Sequence, residues 1–509
     1  MGRKRRMPLV RREILGWSAM LLGLVTSDSV ADGREFARHL PATVVSSSGL
    51  PVPAKQRAPF GWQVTTITTA DRPPLVLRWD ALPEGAAPTH LRVAIGLDER
   101  DEKIAEAFLP ASGRVIGTFD LRFVSQFQVY QMALGPADVA DIRREGIALR
   151  LTRGSDLEIL TGGPDIPEAL LPHLLVPGTA TLMEEFFARM NSLACVQQFG
   201  WMEGCVMDGL LDLAELPRHA SMRAMAERHL ALFFKGGLVY ENHVSAPSDD
   251  RIYGIEGTLP FAALARVEPH SPLLELAIQA WGKRRRPTGS IQDGPHMSSE
   301  GAYTIAYPLA LIAGARGSEA MMQDALYQVR IRQARFFDGS EFWRTYDDDG
   351  KRGNRNWARG IAWQLLGLTR TLAVARGRQD AGDLVILLQR FAAWAMAHQR
   401  EDGLWSVIVD ESRLTPDTAG SAGIAAALAL GAKHGWLDAD ARAAASRTLT
   451  GLQGHLTRDG FLGGVSQSNK GGLELQRSDY RAIYQMGMGL MAQLVAALET
   501  CEPPCEYKP

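Results

Sequence analysis

Residues 419–432 read AGSAGIAAALALGA, a helix-forming run with no polar face. A helix of that composition must be covered on every side. The same Gly- and Ala-rich texture closes the chain in YQMGMGLMAQLVAAL (484–498), while ADARAAASRTLTGLQGHL (439–456) carries a charged face. Apolar periodicity predicts twelve helices in the order 181–191, 204–216, 220–234, 257–266, 272–281, 298–315, 319–336, 358–376, 381–399, 419–434, 439–455 and 480–498. The even-numbered ones are apolar nearly all round, and several of the odd-numbered ones are amphipathic. Six buried helices alternating with six half-buried ones describe a mainly α fold, an (α/α)6 barrel. A stacked solenoid is disfavoured because no fixed repeat length recurs.

At 509 residues the chain is too long for one core. From about Pro59 to Thr161 the texture is β: VTTITT, LVLRW, HLRVAIGL, RVIGTFDL, FQVYQMAL and IALRLTR are short alternating runs between Pro, Gly and Asp clusters. We therefore expect a β-sandwich-like domain over 45–163, a linker over 164–178, the helical domain over 179–500 and a tail over 501–509. The β domain shows no catalytic constellation, and its expected role is to cover one end of its neighbour. The basic stretch MGRKRRMPLVRRE, the apolar run Ile14–Val25 and the small residues Ser29-Val30-Ala31 read as a signal peptide over 1–31. Export to the periplasm or the outside follows, with no membrane span afterwards. A net charge of −2 without a later polybasic run gives nucleic acid no footprint. Four cysteines in an exported chain suggest two disulfides, with the local pairs Cys195–Cys205 and Cys501–Cys505 favoured over the other connectivities.

Polar and aromatic clusters precede each buried helix: GWMEG (200–204), YGIEG (253–257), QDGPHM (292–297), NWARG (356–360), TPDTAGS (415–421) and QRSDYRA (476–482). If the inner helices run parallel, all six clusters meet at one mouth, where helix N-termini favour an anion. Thr418 and Ser478 also fit ordinary helix caps. Arg359 and Trp363 lie one helical turn apart, an indole beside a guanidinium, which suits a sugar ring bearing a carboxylate.

WARGIAW (357–363), DTAGSAGIAAALALGAKHGWL (417–437) and YQMGMGLMAQLVAALE (484–499), with weaker support from QDGPHM and MDGLLDLAEL (207–216), resemble glycoside hydrolase families 88 and 105. These are the unsaturated glucuronyl and rhamnogalacturonyl hydrolases, and the resemblance covers the C-terminal 330 or so residues. It implies an oligosaccharide substrate with a 4,5-unsaturated uronate at its non-reducing end, a vinyl ether protonated at C4, and water added at C5. One carboxyl group must then hold its proton near neutral pH. By motif the resemblance places Asp293 in the acid/base position and Glu256 as a second acid that orients or shares the proton. It gives Arg359 the uronate carboxylate and Trp363 the sugar ring, with Trp357 as a buttress of the helix start and Trp201 in the neighbouring cluster. The histidine often found before WARG is absent here, and Arg344 or Tyr346 is expected to fill that space. His296, three residues after Asp293, is open between a cavity role and a structural one.

Asp347-Asp348-Asp349-Gly350 begins like a calcium loop, but its twelfth position is Ala358, so no metal site is expected. No phosphate loop, dinucleotide fingerprint or nucleophile elbow is present, and no cofactor is called for. The competing readings are a conventional uronidase or other glycosidase using paired acids and an inactive sugar-binding relative. A monomer or weak homodimer is expected.

Overall fold

The computed structural model describes residues 33–499, except Ala81 and residues 241–244. The expected signal peptide, the tail and Cys501 and Cys505 lie outside them.

Each of the twelve expected helices has a counterpart. Glu319–Phe336 and the start at Ala358 fall where periodicity put them. The last helix begins later, at Gln485, because Arg481–Ala482 is drawn into a two-residue strand pairing with Val465–Ser466. Helices Trp201–Leu213, Pro260–Val267, Tyr307–Arg316, Ala358–Val374, Thr418–Lys433 and Gln485–Glu499 pack each on the next, and the last returns onto the first. The intervening helices lie against this ring, as with Ala439–Gln453 on its two neighbours. Thr418–Lys433 is buried over almost its whole length, as its missing polar face requires.

Glycine sets the closeness of the ring. Gly209 and Gly489 face each other where the first and last inner helices cross, and a Cβ on Gly489 would stand 2.4 Å from the Cys205 carbonyl oxygen. Backbone cannot step aside as a side chain can. Gly489→Ala should therefore cost about 1–3 kcal/mol of stability by overpacking, read as a lower denaturant midpoint with unchanged slope. A midpoint equal to that of wild type would refute the close approach.

The N-terminal region holds two antiparallel sheets around a common core. The five-stranded sheet runs, in spatial order, Thr43–Ser46, Leu75–Arg78, Ile147–Arg153, Glu102–Phe108 and Val115–Arg122. The four-stranded sheet runs Arg38–Pro41, His173–Val176, His90–Ala94 and Val129–Ala133, and Leu157–Gly162 pairs separately with Gln63–Ile67. Two expectations change. The strands extend beyond 45–163, and the segment expected as a linker supplies His173–Val176, an interior strand bonded on both edges. Prolines on either side of HLLV disguise four residues that are mostly buried in the sheet. Glu102–Phe108 also went unread, because its charged residues alternate with small alanines.

The two domains share buried polar contacts. Asp459, fully buried in the helical domain, lies 2.5 Å from Arg92 and 2.9 Å from His39 of the β domain, and the Arg189 guanidinium donates to its carbonyl. Gln485 donates to the Phe127 carbonyl, and Gln467 bonds both Gln128 and Tyr130.

The disulfide expected between Cys195 and Cys205 is absent, and both thiols are free and buried. Cys195 sits in a 3-10 turn with its Sγ toward the Met190 and Ser192 carbonyls and 3.8 Å from His229. Cys205 lies within the first inner helix, where its carbonyl accepts from Gln493 of the last.

Candidate active site

Residues at the starts of the inner helices enclose a cavity of about 320 Å³, among them Trp201, Glu256, Glu300, Arg359 and Tyr484. Residues near the ends of the same helices line a separate cavity of about 270 Å³ that includes Asp212, Arg370, Lys433 and Ala497. Starts gather at one end and stops at the other, so these helices run in one direction. The clusters GWMEG, YGIEG and NWARG reach the first cavity directly. TPDTAGS and QRSDYRA act one layer back. Asp417 caps its helix and accepts from Arg359 at 3.0 Å, while Gln476 accepts from the Trp357 indole N–H at 3.2 Å. The helix cap is therefore Asp417, whereas Thr418 donates to the Gly463 carbonyl and Ser478 ends a short helix.

Glu256 stands on the 3-10 turn Ile255–Thr258, which follows Gly254 at φ 59°. Asp293 fixes that turn from behind, accepting the Ile255 N–H at 3.0 Å with one oxygen and the Arg284 guanidinium at 2.8 Å with the other. Glu300 is buried just ahead of Ala302–Ala306, which winds as a π-helix, a wider turn that often marks functional sites. Arg344 projects from the strand Trp343–Asp347, its guanidinium 2.6 Å from Glu300 and 3.8 Å from Glu256. The second Glu300 oxygen is buried without a partner.

The Glu256 side chain faces the cavity with 41 % of its surface accessible, but the recess is deep and protein surrounds it. That desolvation, reinforced by the Glu300 charge and opposed by Arg344, pushes its carboxyl up to about 7. Two acids and one guanidinium thus leave a carboxyl able to give and take a proton near neutrality.

The aromatic wall joins two inner helices. Trp201 follows Gly200, whose φ of 124° an L-residue rarely adopts, and its indole is partly exposed. Its ring meets Trp363 edge-on at 5.0 Å, and Trp363 is backed by Tyr303. Trp357 lies between two guanidinium groups, Arg359 at 5.0 Å and Arg344 at 5.6 Å. Arg359 is 1 % exposed and also donates to Ser466 and the Gln467 carbonyl, so it ties the loop 466–467 to its helix.

Of the residues expected from sequence, Glu256, Arg344, Arg359, Trp201, Trp357 and Trp363 line the cavity together. Asp293, His296 and Tyr346 do not. His296 is 63 % exposed at its side chain and bonds Asp347, and Tyr346 packs beneath Arg335 and Arg352. Tyr253 reaches the cavity as part of YGIEG, whereas sequence reasoning missed Glu300, Lys470 and the β-domain residues Arg100 and Ser125, all of which border it. Glu300 carried a readable signal, an acid immediately before the buried run GAYTIAYPLALIAGA. Among the described residues no cluster of His, Cys, Asp or Glu is arranged to hold a metal.

Residues 303–500 match the family model described as Glycosyl Hydrolase Family 88. No curated relative matches the chain. A possible member of the GH105 family from Salmonella enterica is similar at 16 % identity and TM-score 0.54, covering 63 % of this chain and 93 % of that one. A family 105 glycoside hydrolase from C. acetobutylicum is similar at 17 % identity and TM-score 0.55, covering 63 % and 99 %. A structure described as a polysaccharide lyase is similar at 15 % identity and TM-score 0.50, covering 64 % and 98 %. At these identities the likeness is one of fold, and each of the three leaves more than a third of this chain unmatched.

Proposed function

Taking the chain as a glycoside hydrolase of the family 88 and 105 kind, we propose that it removes a 4,5-unsaturated uronic acid from the non-reducing end of oligosaccharides left by polysaccharide lyases. Its helical domain is then an (α/α)6 barrel with the site at the mouth, and the N-terminal residues 1–31 direct its export. The observation that carries this reading is Glu256, a cavity carboxyl raised to about 7 beside a second acid, Glu300.

The protonated Glu256 gives its proton to C4 of the vinyl ether, and positive charge develops at C5 and the ring oxygen. Glu300, held by Arg344, offsets that charge. Glu256, now a carboxylate, takes a proton from the water that adds at C5 and so returns to its starting form. The hemiketal opens and releases the remaining sugar. Trp201 supplies the open indole face for the ring, and the Arg344 and Lys470 side chains give the site its positive charge for the uronate. Asp293 acts through the turn it anchors and is a positioning residue. Asp293→Asn should lower kcat by about 100-fold, the scale of a misplaced catalytic group, less than a change at Glu256 itself.

Elimination, the chemistry named for one structural neighbour, needs a base to remove the proton at C5. The cavity tyrosines fit that poorly, since burial pushes Tyr253, Tyr240 and Tyr484 all upward. A paired-acid glycosidase is separated by absorbance. Hydration destroys the conjugated double bond of a lyase product, and ordinary glycosidic cleavage leaves it. The expected result is a falling ultraviolet absorbance on at least one of the pectin-, glycosaminoglycan-, ulvan- or gellan-type lyase products. Unchanged absorbance across that set would overturn the reading.

A further inference from the structure

The cavity has a wall that the helical ring does not provide. Arg100 and Ser125, both from the β domain, border it alongside Tyr253 and the loop Ser468–Lys470. Ser125 receives the Tyr484 hydroxyl at 2.7 Å, so one cavity tyrosine is held across the domain boundary. Asp98 is buried between two cations, 3.4 Å from Arg100 on its own domain and 3.3 Å from Lys470 on the other. Its backbone N–H is fixed in turn by Ser245 at 2.8 Å. Tyr253 is 52 % exposed, the only large aromatic among the described residues of the site to stand so far into solvent. Arg100 is close enough to oppose the rise in its hydroxyl pKa.

Glu300, beside Glu256, is buried in this cavity, whereas Tyr253, 52 % exposed, and Arg100, 39 % exposed at its side chain, form a rim open to solvent. A sugar whose unsaturated end reaches Glu256 must extend its leaving portion past that rim. There it meets an exposed phenol face and a guanidinium placed by a buried carboxylate, a planar donor set that suits carboxylate and sulfate oxygens. We propose that Arg100, with Tyr253, forms the subsite for the sugar next to the cleaved residue, and that Arg100 reads an acidic group, carboxylate or sulfate ester, on that sugar. The β domain is then part of the substrate site and not only a cover. This inference rests on the hydrolase reading above.

The test uses the full chain and a matched pair of unsaturated disaccharides that differ only in an acidic substituent on the second sugar. Wild type should favour the acidic member in kcat/KM, and Arg100→Ala should lower the acidic-to-neutral ratio about tenfold. Arg100→Lys, which keeps the charge without the fork, should recover part of the ratio and guards against a folding defect. A wild type without preference, or a ratio untouched in Arg100→Ala, overturns the proposal. Separate carboxylate and sulfate disaccharides distinguish the two acidic groups. If wild type turns over neither substrate, the hydrolase reading fails instead, and calorimetric binding of the same pair decides the subsite: acidic-selective binding lost in Arg100→Ala supports it, and equal binding overturns it.

Discussion

Glu256→Gln should abolish turnover, with kcat down about 10³-fold or more, while substrate binding changes by a few-fold at most. Glutamine keeps the shape of the side chain but cannot cycle a proton, and general acid–base catalysis contributes about 10²–10⁴ in rate. The pH profile carries an independent signature. Because the acid form starts the reaction and the free carboxyl lies at about 7, kcat/KM should fall tenfold per pH unit above neutrality. Stability follows the same group. A folded carboxyl raised above its usual 4.5 favours folding fully below that value and loses the contribution as pH rises through about 7. Wild type should therefore lose thermal stability relative to Glu256→Gln between pH 4.5 and 8. A flat kcat/KM across neutrality, or retained turnover in the variant, would remove Glu256 as the acid.

The second large effect is expected far from the chemistry. Asp459→Ala should destabilise the protein by about 3–5 kcal/mol, because Arg92, 1 % exposed at its side chain, then keeps a buried charge without its carboxylate. Burial alone would raise the Asp459 carboxyl, but Arg92, the His39 hydrogen bond and Arg189 outweigh it and hold the group well below its ordinary value. His39 is lowered as well, chiefly by burial, with the Asp459 bond opposing. Both signs agree. The His39 contribution is present above about 6.5 and fades as pH falls through that value, and the Asp459 contribution is lost only in stronger acid. Acid should thus loosen the domains from each other, and proteolysis between pH 6.5 and 4 should cut near the junction sooner than in neutral buffer. Equal denaturation midpoints for Asp459→Ala and wild type would sink this account.

Much of the fold was legible in the chain because burial leaves a mark on composition. A helix with no polar face, such as 418–433, has one physical destination, and the alternation with charged helices implies a ring. The β domain was legible as strands and not as a boundary. His173–Val176 is short and lies between prolines, so only pairing with its two neighbours makes it a strand. Cysteine spacing misled for a related reason: Cys195 and Cys205 are near in sequence, but Cys195 ends a 3-10 turn with its thiol toward His229, whereas Cys205 lies inside the first inner helix.

The site divides along the same line. The cluster Trp357–Trp363 marked the mouth of the ring from sequence alone, since aromatic and charged residues ahead of a buried helix have to face an end and not a side. The contacts its residues make were not legible there. Arg359 is occupied by Asp417 and the loop 466–467, and Asp293 faces Arg284 and the Ile255 N–H. Glu256 became the prominent acid because Glu300 and Arg344, distant in sequence, stand beside it. A carboxyl owes its proton affinity to burial and neighbouring charge, and both are three-dimensional quantities. The sequence by itself therefore determined the ring and its mouth. Only the tertiary structure decided which carboxyl is pushed toward neutrality there and that the β domain forms one of the walls.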